Sequence, residues 1–263
     1  MHAESIAQGH LKTEDEHRRE ICLAGRWLYE RGFITSTDGN LSVRVDRKRI
    51  LASPAGYCKG MLEPEDLILT DLDGVKLAGK HDPSSELPMH LLIYRRRPDV
   101  NAVCHAHPLV ATGFAAAGVA LDKPLLTEML LSLGSVPLAP YARPGTPELA
   151  GSLVPLVDRH DALLMANHGV VTCGPDLRTA FFRMETVEHF ARVTLVTELL
   201  GKQVLLSGGD VEKLLAARRA SRAAAESGEM PAAIPEAEGR VTLSRRELET
   251  LIEEALRKDR ARR

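Results

Sequence analysis

The chain has 263 residues, 44% hydrophobic and 27% charged, with a formal net charge of −2. That balance suits a globular protein with a sizeable core and lacks the basic excess of a nucleic-acid-binding surface. Four scattered cysteines without a C-x-x-C pair read as reduced thiols rather than a disulfide framework. No apolar run is long enough to span a bilayer, and "MHAESIAQGHLKTEDEH" offers no secretory h-region. The expectation is a cytoplasmic protein with no nucleic-acid and no membrane partner.

Residues 13–31 predict a first helix: Thr13 and Glu16 form a capping box, Ile21, Ala24 and Leu28 share a face, and Gly32 is the stop. "TSTDGNLSVRV" reads as a polar turn entering an alternating strand at Leu41, Val43 and Val45. "RILASP" and "DLILTDLDG" read as further short strands. "SELPMHLLIYRRR" is a helix with Pro88 in its first turn, where the missing N–H costs little. "NAVCHAHP" is a strand closed by Pro108, and "VATGFAAAGVAL" is a helix. "SVPLAPYA" is strand-like, "TPELAGSLVPLV" is a short helix, and "ALLMANHGVVTCG" is a strand with a tight turn. From Asp176 to Leu200 the pattern is helical, with Phe182, Val187, Phe190 and Val193 near one stripe. Helices mixed with adjacent short strands predict an α/β protein with a mixed, mostly antiparallel central sheet. No G-x-G-x-x-G opens a helix, so a dinucleotide site has no support.

Composition shifts after about residue 205. An Ala/Arg-rich helical stretch covers 209–227, and "GEMPAAIPEAEGR" makes 228–240 a linker with nothing to bury. Residues 241–263 become periodic again: Ser244 and Glu247 form a capping box, and Leu248, Leu251, Ile252, Ala255 and Leu256 make one apolar stripe. A helix that short needs a surface to lie on.

The candidate chemistry lies in three patches. On a strand, His105 and His107 of "AVCHAHP" would point to one face; the pair is either half of a metal site or two polar residues on a half-buried strand. "NHGVV" puts His168 in a turn at a strand's end. "PSSELPMH" brings two serines, Glu86, and His90 four residues on; His90 reads as a packing residue rather than a ligand. Imidazoles suit Zn²⁺, and three protein ligands with an open position mark a catalytic zinc site.

Together these patches resemble the class II aldolase/adducin family. The resemblance is carried in order by "TDGNLSVR", "SPAG", "PSSELPMHLLIYRRRPDVNAVCHAHP", "VPLAPYARPGTPELA" and "LLMANHGVVTCG", over roughly residues 15–205. It implies a mostly antiparallel sheet between helical layers, a class II aldolase-like catalytic domain over 1–208, and a homotetramer with active sites at subunit interfaces. It implies Zn²⁺ on His105, His107 and His168, with Glu86 beside the metal as catalytic acid/base. It also implies a phosphate held by Gly39, Asn40, Gly56, Ser84 and Ser85, through backbone N–H groups and short hydroxyls. The implied reaction is aldehyde-lyase cleavage of an L-fuculose-1-phosphate-like ketose 1-phosphate to dihydroxyacetone phosphate and lactaldehyde. In it a metal polarises the carbonyl and Glu86 moves the neighbouring proton.

Residue 86 sorts the alternatives. Sugar-phosphate 4-epimerases of the family resemble "SSD" here, whereas this chain has "SSE", as do aldolases and related dehydratases. Non-catalytic members lack the metal histidines. Two departures are visible. Where fuculose-phosphate aldolases carry acid tyrosines, this chain has the loop "KPLLTEMLLSLG", with Glu128 the candidate, and no tyrosine after Tyr141. The phosphate loop also has Ala55 where a hydroxyl residue is common. The linker and terminal helix resemble encapsulation peptides, which implies a bacterial microcompartment shell protein as partner of 241–263; the alternative is docking on the chain's own tetramer.

Overall fold

The computed structural model describes residues 12–227; the linker over 228–240 and the periodic stretch over 241–263 lie outside the described residues. The chain divides into two compact units, Met1–Arg218 and Arg219–Arg263, and everything below concerns the first. It opens with helix α1 (Glu14–Glu30), whose capping box is formed as the sequence indicates: Glu16 N–H donates to Thr13 Oγ1 and Thr13 N–H to Glu16 Oε2. Four strands follow, β1 (Asn40–Arg44), β2 (Arg49–Ala52), β3 (Ile68–Asp71) and β4 (Lys76–Ala78), and then helix α2 (Leu87–Arg96). After them come β5 (Ala102–Ala106), α3 (Leu109–Ala116), α4 (Thr127–Ser132), β6 (Leu138–Ala139) and α5 (Pro147–Val157). The hairpin β7 (Ala162–Met165) and β8 (Gly169–Gly174) leads into α6 (Leu177–Leu199) and α7 (Gly208–Ser227).

The strands form one sheet ordered β4-β3-β2-β1-β5-β8-β7-β6, antiparallel throughout except for the β6–β7 pair. Side chains alternate between two cores, as a sheet covered on both faces requires. Leu51, Cys104, Ala106, Leu164 and Val170 join α1, α3 and α6 on one face, while Ile50, Val103, Leu163 and Val171 join α2 and α5 on the other. His105, next to Val103 in alternation, therefore points to the α2 layer. No helix among the described residues is long and apolar enough to cross a membrane.

Three local expectations need correction. The 123–134 stretch, expected as a loop, contains α4, whose Met129 and Leu130 are buried. "SVPLAPYA" contributes only a two-residue strand, because only Leu138 and Ala139 meet β7. The apolar stripe of α6 holds at Val187 and Phe190, which are buried, but not at Phe182, which is 51% exposed while its neighbour Phe181 is buried. The buried face carries Glu188, whose carboxylate accepts the Val110 and Ala111 N–H groups at the start of α3 and an Arg192 N–H. A helix N-terminus makes such a burial affordable.

Candidate metal centre

The site is assembled by sheet register. Asn40 of β1 stands opposite His105 of β5, and His105 stands opposite Val171 of β8. Beyond Ala106 the chain leaves the ladder, with His107 N–H donating to Phe33 O. His168 occupies the β7–β8 turn, which Asn167 makes possible with φ 55° and which Met165 and Gly169 close. Two glycines permit the close approach. A Cβ on Gly39, which has φ +67°, would lie 2.6 Å from His105 O, and one on Gly169 would lie 2.4 Å from His107 Cδ2.

The three imidazole rings pack edge to face, with centroids 4.8–5.1 Å apart. His105 Nδ1 is 2.9 Å from Val170 O and donates to it, which turns Nε2 toward the cluster. His107 Nδ1 faces Asp38 at 3.7 Å, and its Nε2 lies 3.2 Å from His105 Nε2. Glu86 precedes α2 and bridges the group: its Oε1 is 3.0 Å from His168 Nε2 and its Oε2 is 3.3 Å from His105 Nε2. One ring nitrogen from each histidine can serve a single ion, the candidate atoms all lying within 4.8 Å of one another. Three imidazoles converging beside a carboxylate form a donor set that fits a borderline divalent metal such as Zn²⁺.

Burial alone would raise the Glu86 pKa, but the His105 and then the His168 imidazoles outweigh it and hold the carboxyl well below the usual range. Burial, with His105 and His168 beside it, takes His107 down to about 3. Behind Glu86 runs a buried chain of hydrogen bonds with one possible polarity. Asn40 Nδ2 donates to Glu86 Oε2 at 2.7 Å, so its Oδ1 must accept from His90 Nε2 at 2.5 Å. His90 Nδ1 then accepts from Ser42 Oγ, and Ser42 Oγ from Tyr94. Burial pushes His90 down to about 3, consistent with the neutral ring this pattern demands.

A cleft of about 340 Å³ opens beside the histidines. Gly39, Asn40, Gly56, Ser84, Ser85, Glu86, His107 and His168 line it, while His105 lies fully buried behind. A bridge between Pro54 and Pro83, and Ala55 N–H donating to Asp82 O, bring the "SPAG" and "PSSE" loops together. The Asn40 side chain is spent on Glu86 and His90. Glu128 is exposed on α4 and does not line the cleft. Sequence reasoning passed over Thr37, Asp38, Lys59 and Pro144, which also line it. Lys59 is 2% exposed, and its Nζ donates to Thr37 O at 2.5 Å. Burial lowers its pKa, while Asp38 and Glu86 oppose that shift.

A family model described as "Class II Aldolase and Adducin N-terminal domain" matches residues 19–195. A 3-oxo-tetronate 4-phosphate decarboxylase of Pectobacterium atrosepticum is 36% identical, over 71% of this chain and 87% of that protein. A 5-deoxy-D-ribulose 1-phosphate aldolase of Bacillus thuringiensis is 34% identical, over 76% of this chain and 93% of that protein. A solved structure described as L-fuculose 1-phosphate aldolase superimposes with a TM-score of 0.73 at 29% identity, covering 81% of this chain and all of that one.

Proposed function

The chain belongs to the class II aldolase and adducin family, and from that premise we propose that it is a zinc-dependent carbon–carbon lyase acting on a phosphorylated carbonyl compound. One observation carries the reading: three convergent imidazoles and the Glu86 carboxylate, 3.0 and 3.3 Å from two of them, sit at a cleft bordered by glycine turns and serines. His105, His107 and His168 would hold the metal, which when bound polarises a substrate carbonyl as a Lewis acid. Glu86, fixed by Asn40 and kept ionised, is placed to accept and return a proton at the carbon beside that carbonyl. Gly39, Gly56, Ser84 and Ser85 offer backbone N–H groups and hydroxyls to the phosphate, while Asn40 acts mainly through Glu86.

The first specific reaction is retro-aldol cleavage of an L-fuculose-1-phosphate-like ketose to dihydroxyacetone phosphate and lactaldehyde. The second is decarboxylation of a phosphorylated 3-oxo acid, the activity named for the Pectobacterium relative. It is favoured by the missing tyrosines, since a departing carboxylate leaves as carbon dioxide with no proton to remove, whereas the hydroxyl that becomes the aldehyde must give its proton to a side chain. Incubation with ketose 1-phosphates and 3-oxo 4-phosphorylated acids separates them by aldehyde release against carbon dioxide release. A chelator must abolish either activity. Cleavage that survives chelation or His105→Ala overturns the mechanism, and products retaining every carbon in one molecule indicate an epimerase or dehydratase instead.

The same reading takes the protein as a homotetramer, which the mass in solution tests. It takes residues 241–263 as a peptide for a microcompartment shell, tested by whether a reporter carrying them co-purifies with shell proteins or stays diffuse.

A further inference from the structure

Lys59 is not explained by the site as described so far. It lies in a single 3-10 turn, Lys59–Met61, just after the Gly56 turn, and is 2% exposed while lining the cleft. A buried ammonium is costly unless its charge and all three donors are met. Its hydrogen bond is to Thr37 O, and among the described residues no carboxylate lies within ion-pairing distance of it. Arg97, similarly buried, is by contrast paired with Asp99 and Asp161. The position of Lys59 is built rather than incidental. The turn presses on Gly25 of α1, where a Cβ would lie 2.2 Å from Lys59 O and 3.3 Å from Lys59 Cβ. Around it are the Gly39 and Gly56 turns, whose N–H groups make no backbone hydrogen bond to the described residues, and Ala55, which offers no hydroxyl.

We propose that Lys59 is the cation that receives the substrate's phosphate, completing an anion subsite with Gly39, Gly56, Ser84 and Ser85 and selecting phosphorylated over neutral substrates. The assignment rests on the lyase reading above, which takes the substrate to be a phosphate monoester. Lys59 is tied to Thr37 and follows the Gly56 turn, and it is close enough to Glu86 and His107 for their charges to act on one another. It belongs to the phosphate because the reacting carbonyl has its electrophile in a metal on the histidines, whereas the glycine turns and serines that line the same cleft bring no positive charge of their own. An arriving dianion meets the ammonium's remaining donors and the unspent turn amides together, which is the arrangement that favours phosphate.

The test is calorimetric titration of inorganic phosphate into the full-length protein, with bound metal measured on the same samples. Lys59→Met is expected to weaken phosphate binding at least about tenfold, whereas Lys59→Arg, which keeps the charge, stays within about threefold of wild type. Metal content should be unchanged in both. Phosphate binding by Lys59→Met at wild-type strength overturns the proposal, as does wild-type protein that binds no phosphate. If Lys59→Met does not fold, a crystal of the wild type grown with inorganic phosphate decides. A phosphate oxygen hydrogen-bonded to Lys59 Nζ supports the assignment, and a phosphate bound elsewhere rejects it. Failure of the lyase reading shows separately, as protein that takes up no divalent metal at His105, His107 and His168.

Discussion

Gly169→Ala would probe the metal centre without touching a candidate ligand. The added Cβ would stand 2.4 Å from His107 Cδ2, 3.2 Å from His107 Nε2 and 2.8 Å from Ala106 O. Carbon atoms in ordinary contact are about 3.5–4.0 Å apart, so the ring must retreat by about 1 Å or the β5–β8 ladder must open. Metal–nitrogen distances tolerate only about 0.2 Å, so a ring displaced that far stops sharing an ion with His105 and His168. Gly169 does not have a positive φ, so the collision alone accounts for the effect. The expected loss is about a hundredfold in zinc affinity, or ~2.7 kcal/mol, together with about 1–3 kcal/mol of overpacking in the metal-free fold. Competition against a chromophoric chelator measures the first and urea unfolding of metal-free protein the second. Gly113→Ala is the control: nothing lies within 4 Å of its Cβ on α3, so it should gain up to about 1 kcal/mol with zinc affinity intact. Zinc affinity in Gly169→Ala within threefold of wild type would refute the reasoning.

Asn40→Ala removes the donor that orients Glu86 and leaves His90 Nε2–H buried without an acceptor. We expect about 1–3 kcal/mol of destabilisation and a fall in kcat with zinc content retained; loss of zinc in parallel would show that Asn40 supports the metal instead. Asp161 is fully buried and meets Arg97, Arg183 and Arg218 at 2.8, 3.1 and 3.0 Å. Asp161→Ala should therefore cost about 3–5 kcal/mol in urea unfolding, and a cost under 1 kcal/mol would show that the arginines find other partners. Burial raises the Cys22 thiol to about 11 and Cys104 and Cys173 to about 12. Between pH 7 and 9 these three stay protonated and unreactive, so a thiolate-seeking reagent should label Cys58 alone in peptide mass spectra. Labelling of Cys104 in folded protein contradicts this.

Much of the fold was legible where local chemistry and tertiary packing agree. The Thr13–Glu16 box, the alternation of Leu41 and Val43 along β1, which buries both in one core, and the tight turn at His168 all follow from residue type and spacing. Strand β4 did not show because all three of its residues are exposed, so an edge strand left no apolar pattern. The breadth of the buried face of α6 was missed beyond Val187 and Phe190, because Glu188 looks like a surface residue until the amides of α3 are known to meet it. Within the site, the histidines and Glu86 were visible as motif residues. Lys59 was not: a lysine in a polar turn reads as solvated, and only the packing of that turn on Gly25 buries it.

The pairing of Asn40 with His105, and of His105 with Val171, has a consequence for how the protein is made. A strand shifted by one residue turns every side chain to the opposite layer, so a misaligned β5 would send His105 into the α1–α6 core and scatter the donor set. A metal that needs β5, its exit and the β7–β8 turn together rewards one alignment of three neighbouring strands and no other. By mass action such an ion stabilises that alignment in proportion to its concentration over its dissociation constant. With an ion held by these histidines, metal supply during synthesis would act as a proofreader of chain assembly, before any substrate is met.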